Sequence, residues 1–213
     1  ANSNIIISMP SLNGSLIKFR MFYSPVMPQS LIKKYPEIRT YTGIGLENPS
    51  ERVSVTVGKD KIKGMILGSD GTVFIDPVKD GMDLYRISKT EMGAPASRNC
   101  AQCENDDAIE REGGASSRTT RNFPSCVGEA EPCYSIGDTL VTFRFAGILT
   151  AEANNEVGGG NVFGGLTWMN AMVNQVNLLW VRELSFRLEL IEDSDVLIYT
   201  DDNPTPEDFT QYN

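Results

Sequence analysis

Four cysteines, Cys100, Cys103, Cys126 and Cys133, are the side chains of this sequence with the most evident capacity for chemistry. An even, clustered set fits two disulfides formed in an oxidising compartment, which places the chain outside the cell or on its surface. Cys100 and Cys103 also have the spacing of a redox or zinc pair. Cys126 and Cys133, however, are separated by six residues rather than the two of a four-cysteine zinc site. Glu104, Asp106 and Asp107 oppose thiolate formation, which argues against a redox module. The sequence contains no histidine. A Ser-His-Asp triad, a Cys-His dyad and any histidine-ligated zinc site are therefore excluded within these residues. The glycines Gly158, Gly159, Gly160, Gly164 and Gly165 lack the Gly-Lys-Ser/Thr of a phosphate cradle and read as a loop before a helix. Asp193, Asp195, Asp201 and Asp202 do not have the alternation of an EF-hand and read as a solvated acidic loop.

The elements that must position these residues fall into three stretches. Residues 1–90 are β-rich. Apolar runs at 4–9 and 15–23 flank the turn signal Asn13-Gly14, residues 52–57 alternate through Val53, Val55 and Val57, and runs at 63–67 and 72–76 flank Ser69-Asp70-Gly71. Residues 28–35 predict one or two helical turns ended by Pro36. Residues 91–133 form a Gly-, Ser- and charge-rich link that carries every cysteine, and its Arg98, Arg111, Arg118 and Arg121 are candidate processing sites. Residues 134–213 predict a strand at 140–149, a polar connection at 154–160 and a helix at 162–182. On that helix Val162, Leu166, Met169, Val173, Val176 and Leu179 make a buried stripe. Apolar runs at 185–191 and 196–199 follow. The order strand, helix, strand predicts a right-handed βαβ crossover. One βαβ unit cannot cover both faces of a parallel sheet, so another segment is expected over the helix face around Trp168, Met172 and Leu179. The fold class is thus α+β: an antiparallel β-rich module, then an incomplete α/β unit.

Charge and hydropathy narrow the partners. A net charge of −9 repels phosphate backbones, so nucleic acid is not expected. No run of 18 apolar residues is present to span a bilayer.

Two stretches carry a family resemblance. Residues 12–77 contain Gly14-Ser15 leading to Phe19-Arg20, then Ser24-Pro25-Val26-Met27, then Pro36-Glu37-Ile38-Arg39-Thr40-Tyr41 with Gly43 and Gly45, then Asp70-Gly71-Thr72-Val73-Phe74-Ile75-Asp76-Pro77. These phrases, in this order, resemble the propeptide of secreted bacterial reprolysin-like zinc metalloproteases, members of the metzincins. The last phrase departs in that Ser69 and Asp70 are adjacent. Met169-Asn170 with Asn174, Val176 and Asn177, and Asp195 with Leu197-Ile198-Tyr199-Thr200-Asp201, resemble the opening of the catalytic domain of the same proteases.

The resemblance implies a β-rich propeptide (1–90), an activation link (91–133) and the N-terminal part of a metzincin-like catalytic domain (134–213). The family's H-E-x-x-H-x-x-G-x-x-H zinc motif is missing, so zinc is expected only with a further catalytic segment, on the same or a second chain. That segment, and through it protein or peptide substrates, are the implied partners. In the same resemblance Cys103, with Cys100 second, is the cysteine-switch candidate that would occupy zinc's open position. Glu152 is the candidate calcium ligand, set against a solvated turn residue. The alternative is a non-catalytic extracellular interaction protein derived from this family.

Overall fold

The computed structural model describes residues 5–59, 61–68, 71–78, 84–90 and 139–206. It is an α+β fold dominated by an antiparallel sheet of seven strands in sequential order. These are β1 (Ile6–Pro10), β2 (Leu16–Tyr23), β3 (Arg39–Gly45), β4 (Arg52–Val57), β5 (Ile62–Gly68), β6 (Gly71–Pro77) and β7 (Tyr85–Thr90). The first hairpin turns at Asn13-Gly14. Gly14 adopts φ 81°, a left-handed conformation that costs glycine little, and Ser15 N–H donates to Asn13 Oδ1 at 2.9 Å.

Alternation along the strands sorts the two faces. Met9, Phe19, Met21, Val53, Val55, Ile66 and Ile75 form one buried cluster. The sheet curls around this face: Met9 Cε on β1 lies 3.2 Å from where a Cβ would stand on Gly64 of β5. The opposite face carries Thr40, Ser54, Thr56 and Met65, which are buried as well. Polar residues on an outer face are buried only if something lies over them, and here it is a helix.

Between β2 and β3 sits the short helix α1 (Gln29–Lys34), as residues 28–35 predict. After residue 139 come β8 (Val141–Phe145), α2 (Ala151–Val157), α3 (Val162–Glu183) and β9 (Phe186–Leu190). β8 and β9 pair in parallel, from Val141 opposite Phe186 to Phe145 opposite Leu190. The expected strand–helix–strand order is therefore present, with three corrections. The strand ends at Phe145 and not at 149, and Leu149 keeps only an isolated bridge to Ile198. The run at 196–199 is turn and bridge, not strand. The polar connection expected at 154–160 is largely helix α2, started by Thr150, whose Oγ1 accepts from Ala153 N–H at 3.3 Å.

Gly164 and Gly165 belong to α3 and not to a loop. A Cβ on Gly165 would stand 2.6 Å from Ile198 Cγ2 and 2.8 Å from Asn154 Oδ1. Glycine there lets α3 approach α2 and the bridge segment closely.

A second core joins residues far apart in sequence. Val26, Met27, Leu31 and Ile38 pack with Leu149, Leu166, Met169, Val173, Leu190 and Ile198. The described residues on either side of the link belong to one compact unit. Among the described residues, no helix is long and apolar enough to cross a membrane.

Candidate functional site

The chemistry-bearing contacts gather around α3, between the sheet and β9. α3 packs on β3, β4 and β5 on one side and on β9 on the other. Leu166, Met169 and Val173 are buried as the stripe predicts, whereas Val162, Val176 and Leu179 are only half-buried. The same face carries three buried asparagines, Asn170, Asn174 and Asn177. Asn174 Nδ2 donates to Tyr41 O and to Val55 O, each at 3.2 Å. One amide thus spans the β3 and β4 backbones at a point where Tyr41 and Val55 are register partners. Asn177 makes a two-point clamp on β9: Nδ2 donates to Leu188 O at 2.9 Å and Oδ1 accepts from Leu188 N–H at 2.7 Å. The helix therefore docks on the sheet through a polar seam.

A strap completes the junction. Ser24 N–H donates to Thr40 O at 3.0 Å, and Thr40 Oγ1 donates to Ser24 O at 2.7 Å. The chain then runs beside β9, where Leu190 N–H donates to Val26 O at 2.8 Å and the Arg187 guanidinium donates to Pro25 O. α1 follows. Lys34 Nζ donates to Asp195 Oδ2, and Tyr35 OH donates to the same oxygen at 3.0 Å.

Asp195 was expected in a solvated loop; it is instead buried, at 7% exposure. Burial opposes its ionisation, but the hydrogen bonds from Lys34 and Tyr35 and the ammonium charge outweigh that penalty and hold its carboxyl below the usual range. The reciprocal effects raise Lys34, chiefly through the bond to Asp195, and Tyr35, chiefly through burial and then through that bond.

The depressed carboxyl contributes stability above its ordinary value of 3.8, and this is lost as pH falls through the folded value. The raised Lys34 contributes below its ordinary 10.5, lost as pH rises through its folded value. Asp195→Asn is therefore expected to lower the melting temperature by a few degrees at neutral pH, with the gap to wild type closing in acid. Thermal denaturation between pH 7 and pH 2.5 checks this. A gap unchanged at the acid end would show that the carboxylate charge is not what holds the contact.

The two edges of the β8–β9 pair are treated differently. Val141 N–H donates to Ser185 O, and Ile191 N–H donates to Phe145 O. Residues 141, 143 and 145 therefore bond inward, and the N–H and C=O of Thr142 and Arg144 point to the other edge. Beyond β9, Leu188 is held by Asn177 and Leu190 by Val26. Beyond β8, no strand pairs among the described residues. The apolar face of β8 is exposed too: Val141, Phe143 and Phe145 are 41%, 46% and 37% accessible, with Phe143 edge-on to Phe186 at 5.1 Å. On α3, Met172, Trp180 and Val181 are exposed.

A shallow cleft of about 210 Å³ lies between α3 and the outer face of β5 and β6, lined by Phe74, Trp168, Met172 and Gln175 among others. The ion pair Lys63–Asp76, at 3.2 Å, stands at its wall.

The remaining sequence-predicted residues are placed as follows. Glu152 is exposed in the first turn of α2. Asp201 accepts from Asn155 Nδ2 at 2.9 Å, whereas Asp195 accepts from Lys34 and Tyr35. Among the described residues, no three His, Cys, Asp or Glu side chains converge. Cys100, Cys103, Cys126 and Cys133, and Arg98, Arg111, Arg118 and Arg121, lie outside the described residues. Scans against models of protein families, curated proteins and solved structures found no match.

Proposed function

We propose that this chain is the pro-region and the opening of the catalytic domain of a secreted reprolysin-like zinc metalloprotease precursor, with the β-rich module keeping the enzyme latent and assisting its folding. The observation that carries the reading is the open side of the β8–β9 pair. A parallel sheet is ordinarily buried on both faces and rarely stops at two strands. Here one edge is closed by Asn177 and the strap, while among the described residues no strand pairs with the other edge of β8, which carries an exposed apolar row. Further catalytic-domain strands would extend the sheet from β8, and the zinc ligands would come from that segment, since this chain has no histidine.

Intact mass and peptide mapping of the native secreted product test the reading. Peptides containing H-E-x-x-H, joined to this chain or co-purifying with it, are the expected result. A mass equal to these residues alone, with nothing bound, would overturn the protease reading and leave a non-catalytic binding protein.

A further inference from the structure

The junction described above has two sides that the sequence keeps far apart. One side is the sheet with its strap, residues 24–38; the other is α3, β9 and the turn holding Asp195. We propose that this junction is a self-sufficient interaction surface. The sheet module would bind the strand–helix–strand unit as a ligand, so cutting the link would leave the two pieces associated, and latency would end only when the strap lets go. The biological half of this inference rests on the precursor reading; the binding half does not.

Three kinds of contact carry it, and none uses residues of the link. Four apolar side chains from the strap side, Val26, Met27, Leu31 and Ile38, are 4% exposed or less and share one core with Leu166, Met169, Val173 and Leu190. Cores that pack to this degree resist separation, because each side chain returned to water costs hydrophobic free energy. The strap also supplies backbone complementarity. Val26 O takes the Leu190 N–H, so residues 25–26 occupy the β9 edge much as an added peptide strand would. Finally, Lys34 and Tyr35 converge on the buried Asp195 carboxylate, and Asn174 bridges Tyr41 O and Val55 O. These directional bonds fix register as well as affinity.

Because the strap holds β9 through Leu190 and Arg187, a link cut and a release are separate events in this proposal. A protease acting on the link would produce a nicked, still covered protein. Release would require a second event at the strap, such as its own cleavage or its displacement from β9.

The test uses the full chain with a recognition sequence for a site-specific protease inserted between Gly113 and Gly114. Cleavage is scored on a denaturing gel under reducing conditions, so that no disulfide joins the pieces. The nicked protein is then run by size exclusion and native mass spectrometry, with reductant, at micromolar and then at nanomolar concentration. Co-elution of both pieces at micromolar concentration is the expected result. Asp195→Asn and Arg187→Ala should each weaken the association by about tenfold, while Glu152→Gln, remote from the strap contacts, should leave it unchanged. Separation of the wild-type pieces at micromolar concentration would overturn the proposal, as would equal affinity for all variants. If the pieces stay together while peptide mapping finds no zinc-motif segment, the interface stands and the protease reading falls. If they separate while that segment is found, the reverse holds.

Discussion

Asn174→Asp is expected to destabilise the protein by about 3–5 kcal/mol, the range for a buried charge left without a partner. Asn174 is 1% exposed, and its amide nitrogen faces Tyr41 O and Val55 O at 3.2 Å. Aspartate has the same shape but only acceptor oxygens when ionised, so it would turn two attractive contacts into repulsive ones. Ionising in that place means losing water with no cation to compensate. Asn174→Leu separates charge from donor loss: it removes the amide without adding a charge and should cost less, about 1–3 kcal/mol, for leaving buried carbonyls short of a partner. Urea denaturation of the three proteins gives the order wild type, Leu, Asp. An Asp variant as stable as wild type would show that the seam does not hold the helix to the sheet.

The long helix was legible because Leu166, Met169 and Val173 recur at helical spacing, and the sheet because alternating runs are separated by turn signals such as Asn13-Gly14. The seam was not. Asparagine counts as a surface residue in any hydropathy pattern, so Asn170, Asn174 and Asn177 pass for the wet side of a helix. A signal was nonetheless present: they fall at i, i+4 and i+7, interleaved with the apolar stripe and not opposite it. Helix α2 was hidden for a different reason. Ala151, Glu152 and Asn154 to Val157 have no apolar period, and its start is marked only by Thr150 and an acidic first turn. Asp195 was unreadable in principle from local sequence. Its neighbours Asp193 and Ser194 suggest solvent, while Lys34 and Tyr35, the groups that make its burial tolerable, stand some 160 residues away. The curl of the sheet likewise depends on a contact between β1 and β5 that no local pattern encodes. How β8 is exposed could be reasoned from the incompleteness of a single βαβ unit, but which edge stays open depends on Asn177 and Val26.

That asymmetry makes Asn177→Ala the second large effect, expected at about 2–4 kcal/mol. On β9, residues 185 and 191 bond toward β8, so the N–H and C=O of Leu188 point to the opposite edge. Asn177 satisfies both, at 2.7 and 2.9 Å, as a neighbouring strand residue would. Alanine would strip both bonds at once and leave two half-buried backbone groups to find water beneath α3. Asn177→Asp, by contrast, keeps an acceptor for Leu188 N–H but sets a second oxygen against Leu188 O, so it also destabilises the protein while leaving the Leu188 amide a partner. Hydrogen exchange distinguishes them: the Leu188 amide should lose protection in Asn177→Ala and retain much of it in Asn177→Asp, while the Val141 amide, bonded to Ser185 O, should change less in either. Unchanged protection at Leu188 in the alanine variant would mean that the β9 edge is closed by something other than Asn177. The β9 edge would then still be closed and growth of the sheet still left to β8, but the closing group would lie in the strap, where Val26 O takes the Leu190 N–H.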